Sequence, residues 1–482
     1  MLPYLLPITS LMIGTALLLL GNGLLSTLIV LRGSLEGYTD QTLGMMGSAY
    51  FVGFFIGTYV VPKLIRRMGH IRASNFFCAA IAACTLAHSI ILDPWVWIGL
   101  RLVTGIVLVG FYTVIESWLN SQSSSETRGR VFAFYMVVNM AAIAAAQQFL
   151  RLAPSSEFTL FAIAAMMVCL AVMPIAATRL PQPVIARVPR LTLKRIWAAA
   201  PAAFIGAIVS GLVMGTFWTM GPLYAARLGL DEQGVALLVS TMIVGGGLLQ
   251  WPLGRLSDRY DRRYVLGCAA VGASLAAGAM AAFGQVPYAV LVAGFFYGGT
   301  AFAVYPIVVA HLVDHLAHED ILSGNAGVLL LYGIGAMIGP SLAGGLMEWR
   351  GAATVPMFFA AVLAPLAVFV ILQARRRRDE IIEAPGQFVP MIRTSETGME
   401  VAATLNQRQR LDAGASPRST AERPEAAIEE PGAGAGVSES ESRGLGESAE
   451  SAPAEGNSES VVTGMPDRAS IMPKEEQAGR AD

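Results

Sequence analysis

The chain has 482 residues, 54% hydrophobic and 14% charged, with a formal net charge of −1. Soluble domains carry about 25% charged residues, so this composition excludes an ordinary soluble enzyme and points to a polytopic membrane protein. The balanced charge, without a basic patch beyond the membrane-edge loops, argues against a nucleic-acid partner.

A membrane-spanning helix needs about 20 apolar residues. Such stretches lie near 5–31, 43–62, 73–92, 95–118, 129–150, 157–178, 201–225, 234–253, 264–284, 287–310, 322–347 and 352–373. They predict an all-α membrane protein of twelve transmembrane helices. The first stretch opens Met-Leu-Pro-Tyr, with no cationic segment and no small-residue cleavage site, so it is expected to be a retained helix. Polar residues recur inside the spans: Asn22, Asn139, Gln147, Gln148, Gln250 and Asn325. Each either lines a cavity or bonds a neighbouring helix. Cys78, Cys84, Cys169 and Cys268 lie in apolar stretches without metal-ligand spacing and are expected to be packing residues. No metal or cofactor is expected.

The fourth span carries the first ionisable candidates. Arg101 lies about 9 Å along the helix from Trp95, and Glu116 about 31 Å, at the usual rise per residue. Arg101 is either functional or a structural arginine that snorkels outward. Glu116 is placed near the end of the span beside Arg66 and Arg67, with which it would pair; the other reading is a proton carrier. Tyr112 lies between them. Further on, Trp218, Tyr297 and Tyr305 suit an amphipathic or apolar ligand, although aromatics also simply pack. His311, Asp314 and His315, near His318 and Glu319, form a two-His, one-carboxylate set at the end of the tenth span. They are read as solvated interface residues, not a metal site. Gly333, Gly335, Gly339 and Pro340 in the eleventh span suggest helix bending. No phosphate-binding Gly-x-x-x-x-Gly-Lys-Ser/Thr loop is present, which argues against an ATP-driven pump.

The loops alternate in charge. Lys63, Arg66, Arg67, Arg72, Arg128, Arg130, Arg179, Arg187, Arg190, Lys194, Arg195, Arg255, Arg259, Arg262, Arg263 and Arg375 to Arg378 fall on one side. Arg32, Arg151, Arg227 and Arg350 fall on the other. The excess of roughly nineteen to four predicts that both termini are cytoplasmic. The long loop near 179–200 divides the spans six and six. Expected boundaries are therefore 1–178 for one half, 179–200 for a cytoplasmic linker, 201–378 for the other half and 379–482 for a cytoplasmic tail. Aligning Gly69 with Asp261 shifts the numbering by about 192, and Gly105 and Tyr112 match Gly298 and Tyr305 at nearly the same shift, as a duplication would require. From about 404 the chain is rich in Glu, Ser, Ala, Gly and Pro and is expected to be disordered. Residues 385–402 either dock on the cytoplasmic face or serve as a linker.

The most specific stretch runs from Gly254 to Arg263. So polar a block cannot sit in hydrocarbon and is expected to form a tight loop at a water interface. Gly254, Leu256, Asp258, Arg259, Arg262 and Arg263 resemble the signature loop of the major facilitator superfamily, with Asp261 in place of its second Gly. The first-half counterpart departs further: Pro62 stands for its Gly and Arg66 for its Asp, while Arg67 and Gly69 remain. Arg101 with Gly105 is similar to a second signature of that family. Gly21-Asn22-Gly23, Leu31-Arg32 and Glu116-Ser117-Trp118-Leu119 look like its YcaD-type branch.

The resemblance implies two six-helix pseudo-repeat halves and a secondary transporter of a small molecule in the bacterial inner membrane, working by alternating access. Spans 1, 4, 7 and 10 would line the cavity, with Asn22, Arg101, Tyr112, Trp218, Tyr297 and Tyr305 as candidates. The signature loop, with Glu116, would act as a gating latch, Asp258 facing its cationic neighbours or the start of the eleventh span. Protons and membrane lipids are the further partners to expect. A transporter-like sensor signalling through the tail and a lipid flippase in the same fold are the alternatives.

Overall fold

Thirteen α-helices and one 3-10 turn make up the described residues of the computed structural model, which are 2–123, 127–177, 183, 193–317 and 320–376. The first six are α1 (Leu2–Leu35), α2 (Asp40–Met68), α3 (His70–Ile90), α4 (Pro94–Gln122), α5 (Arg128–Gln148) and α6 (Phe158–Ala176). A short α7 (Leu193–Ala199) follows. The last six are α8 (Pro201–Arg227), α9 (Glu232–Arg259), α10 (Arg262–Ala282), α11 (Pro287–Asp314), α12 (Ile321–Arg350) and α13 (Thr354–Arg376). All except α7 are long and apolar enough to cross a membrane, giving the twelve spans expected. The tail expected to be disordered, the 385–402 stretch and the linker cations Arg179, Arg187 and Arg190 lie outside the described residues.

Short polar residues set several starts. Asp93 accepts from the backbone N–H groups of Trp95 and Val96, both at 2.9 Å, and Pro94 follows at the first helical position. Asp231 caps α9 through the Gly234 N–H at 2.8 Å. Each cap satisfies donors that the first helical turn leaves free.

Lipid removes most of the hydrophobic drive between helices, so close backbone packing has to supply it. The glycines do this, and they do it twice. A Cβ on Gly53 of α2 would overlap the Leu102 carbonyl of α4, and one on Gly105 would overlap the Tyr50 carbonyl of α2. In the second half, Gly245 of α9 sits against the Phe295 carbonyl of α11, and Gly298 against the Met242 carbonyl. The shift of 192 to 193 read from sequence thus carries a matched pair of helix crossings.

The glycines of α12 make close contacts with neighbouring helices. α12 runs unbroken through Pro340. Gly335 packs on the Ile208 carbonyl and Gly339 on the Leu212 carbonyl, both of α8. Pro340 meets Gly44 of α2. Their purpose is close approach to two neighbours. The cysteines divide: Cys78 and Cys84 are buried as expected, but Cys169 and Cys268 are exposed on the outer faces of α6 and α10. Leu170 and Leu275 beside them are also exposed, as suits a surface facing lipid.

Candidate functional site

The run from Gly254 to Arg263 is mostly helix. α9 continues to Arg259, and only Tyr260 and Asp261 separate it from α10. Asp261 has φ −53° and caps α10 through the Arg263 N–H at 2.9 Å. Any residue can adopt that φ, so glycine is not needed here. At the first-half junction the single residue Gly69 has φ +79°, where glycine is the natural choice.

Arg262 and Arg263, both buried, tie this junction together. Arg263 folds back onto Asp261 at 2.8 Å. Burial opposes ionisation of Asp261, but hydrogen bonds and charge from Arg263 outweigh it and hold the carboxyl below its ordinary value. The stability this adds is present above the ordinary carboxylate pKa and is lost as pH falls through the lowered one. Arg262 donates from Nε to Asp314 at 2.6 Å, and from Nη1 to Ser257 at 3.1 Å and Asp258 at 3.2 Å. One guanidinium therefore joins the ends of α9, α10 and α11.

Asp314 is buried, as are His311 and His315, so the solvated edge expected for them is not what forms. α10 brings Arg262 over the end of α11, and the carboxylate is enclosed by the pair it makes. His315 Nδ1 lies 2.8 Å from the His311 carbonyl, and the two rings are 4.4 Å apart. Among the described residues no cluster of three His, Cys, Asp or Glu side chains could hold a metal. His318 and Glu319 lie outside the described residues.

The first half is built differently at the same place. Arg66 and Arg67 are exposed at the end of α2. Glu116 is buried against α5, where Tyr135 donates to it at 3.2 Å. The structure thus places Glu116 on Tyr135 and not on the arginines expected to pair with it. The residue at the position of Arg262 is His70, whose Nε2 lies 3.0 Å from Ser117 Oγ of α4 and whose ring meets Trp118. Sequence reasoning missed His70, although the shift of 192 maps it onto Arg262. A histidine–serine link in one half stands where the other has a buried ion pair.

At the opposite, cation-poor end a chain of contacts joins the halves. Arg227 at the end of α8 pairs with Asp40 at the start of α2, 2.7 Å apart. The Gln41 N–H donates to Glu348 at 3.0 Å, and Ser341 Oγ donates to Ser48 Oγ at 2.7 Å, both between α2 and α12. On the other seam, Gln148 donates to Ser240 of α9 at 2.9 Å, and Ser155 donates to Glu232 from its hydroxyl at 3.0 Å and its N–H at 3.2 Å.

A sequence profile of the Major Facilitator Superfamily matches residues 203–418, which include the signature-like run Gly254 to Arg263. An uncharacterized MFS-type transporter of Enterobacter sp. (strain 638) is 29% identical over 347 residues, covering 71% of this chain and 89% of the relative. The MFS-type transporter YcaD of Escherichia fergusonii is 26% identical over 377 residues, covering 78% and 98%. In sequence the chain is thus similar to transporters of the major facilitator superfamily. Solved structures with the same fold include the nucleoside transporter NupG, at TM-score 0.64 and 14% identity, covering 77% of this chain and all of that one. A bacterial homologue of the human lysosomal transporter Spinster, in an inward-facing and unoccupied conformation, has TM-score 0.58 and 13% identity, covering 84% and 98%. The chain thus shares the fold of these multi-pass membrane transporters, with twelve helices long and apolar enough to span a membrane.

The candidate cavity residues separate by what they touch. Asn22 is buried on α1, and neither its side-chain oxygen nor its nitrogen has a hydrogen-bond partner. Arg101 is 3% exposed and lies 4.5 Å over the ring of Tyr50, so it does not snorkel. Gly105, one turn on, sets the approach of α2 that makes this stacking possible. Tyr112 is buried on α4. Trp218, half-buried on α8, meets Phe302 of α11, and Phe217 packs against both. Tyr305 meets Tyr332 of α12. Tyr297 departs from the set: it stacks on Phe359 of α13, with ring centroids 4.8 Å apart, within the second half. Phe302 and Tyr332 were not singled out in the sequence, where nothing separates them from packing aromatics.

Proposed function

We propose that the protein is a secondary transporter of a small molecule in the bacterial inner membrane, in which α1–α6 and α8–α13 rock about a central site. The observation that carries this reading is the chain of inter-half contacts at the cation-poor end. With the cation-rich end cytoplasmic, that closed end is periplasmic, and the conformation is inward-facing. The mixed polar and aromatic set of Asn22, Trp218, Phe302, Tyr305 and Tyr332 supports a ligand with both ring and hydrogen-bonding character. Glu116, a buried carboxylate on α4 that accepts from the Tyr135 hydroxyl, is the group we assign to proton coupling, since ionisable groups within a bilayer are rare and functional by default.

Uptake into proteoliposomes, screened over ring-containing small molecules with and without a pH gradient, tests this. Flux should rise with the gradient, and Glu116→Gln should remove that dependence while leaving exchange. Binding without flux would favour a sensor, and movement of lipid alone a flippase.

The orientation has its own test. Cysteines at Arg190 and Leu228 should be labelled by an impermeant maleimide from the cytoplasmic and periplasmic sides respectively. Labelling of position 190 from the periplasm would overturn the assignment.

A further inference from the structure

The contacts that shut the cation-poor end differ in kind. Along the α2–α12 seam they are mostly neutral: Ser48 with Ser341, Gly44 with the Pro340 carbonyl, and Gly344 with the Asp40 carbonyl. These let the helices close but add little direction. Among the described residues, the ion pair that crosses between the halves here is Arg227–Asp40. Nε and one terminal nitrogen of Arg227 donate to the same Asp40 oxygen, at 3.2 and 2.7 Å.

Each charge stands where its own helix favours it. Asp40 is the first residue of α2, against the positive end of that helix dipole. Arg227 is the last residue of α8, against a negative end. Each helix end favours the charge it carries whether or not the halves touch, so the attraction is recovered on closing. The side chain of Asp40 is 13% exposed and that of Arg227 40%. The pair is therefore partly screened, strong enough to bias two states and weak enough to release.

We propose that Arg227–Asp40 is the lock of the cation-poor end, setting the ratio of closed to open forms there. This rests on the rocking reading given above. The test is double electron–electron resonance between spin labels at Trp95→Cys and Tyr288→Cys, exposed positions at the starts of α4 and α11. The exposed Cys169 and Cys268 are replaced by serine. Asp40→Asn and Arg227→Gln should each raise the wide-distance population relative to the narrow one about fivefold, the upper range for a part-exposed pair. The double variant should do no more than either single, because both remove one interaction. Arg227→Lys, which keeps the charge, should shift the ratio less. If a single variant fails to fold, the ratio in the unsubstituted chain should still rise with salt, which screens such a pair. An unchanged ratio in the single variants, or a double effect equal to the two singles combined, would overturn the lock while leaving the rocking reading standing. Absence of any wide population in every sample would sink the rocking reading itself.

Discussion

Gly105→Val and Gly298→Val are each expected to leave no monodisperse protein in mild detergent, while Gly99→Ala on the same helix as Gly105 folds normally. The difference lies in what a side chain would meet. A Cβ at Gly105 would overlap the Tyr50 carbonyl oxygen and come within 2.8 Å of the Phe54 nitrogen. Both atoms are backbone, so no rotamer change can relieve the clash, and α2 must move away from α4. Overpacking alone costs about 1–3 kcal/mol, and more when the backbone has to shift. Separation of these helices would also lift Tyr50 from Arg101 and leave a buried guanidinium without its ring. At Gly99 nothing lies within 4 Å of the added carbon. Gly298 faces the Met242 carbonyl in the same way as Gly105 faces Tyr50, so the repeat predicts equal sensitivity. Size-exclusion profiles and thermal midpoints check this. A folded Gly105→Val protein with an unchanged midpoint would refute the packing argument, and unequal effects would show that the two crossings are not equivalent.

The fold was legible because hydrocarbon thickness fixes helix length and because water must take the polar loops, so the apolar stretches alone gave twelve spans. The duplication was legible at Gly105 and Gly298 because a backbone contact tolerates no other residue. The charged junctions were less so. Asp258 and Asp314 are both aspartates near a membrane edge, and nothing in their neighbours shows which one Arg262 will enclose. That depends on the angle at which α10 meets α11. Glu116 was read beside Arg66 and Arg67 from its height in the membrane, but height does not fix the direction in which a helix turns a side chain, and Glu116 turns to Tyr135. Tyr297 was grouped with the cavity for its residue type, and the same blindness to helix rotation hid its stacking on Phe359. His70 drew no attention as a lone histidine; its role emerges only when the repeat is laid over the contacts.

Asp314→Asn and Arg262→Met are each expected to destabilise the protein by about 3–5 kcal/mol, the usual result of breaking a buried ion pair by removing one partner. The side chains of Arg262 and Asp314 are 4% and 6% exposed, and the Nε to Oδ2 distance is 2.6 Å. Without Asp314 the guanidinium keeps Ser257 and Asp258, but its enclosed side loses a full charge. Without Arg262 the carboxylate sits in a protein interior at the end of a membrane helix. The double variant Arg262→Met/Asp314→Leu should cost less than either single, because it removes both desolvated charges together. Asp258 provides the contrast. Its side chain is 34% exposed and its contact with Arg262 spans one helical turn, so Asp258→Asn should cost no more than about 1 kcal/mol. The ranking reverses the weight that the signature loop gives to Asp258 when read as sequence. A double-mutant cycle on thermal midpoints in detergent measures it. Equal losses from Asp258→Asn and Asp314→Asn, or a double variant as damaged as the two singles combined, would show that the Arg262–Asp314 pair does not hold this junction.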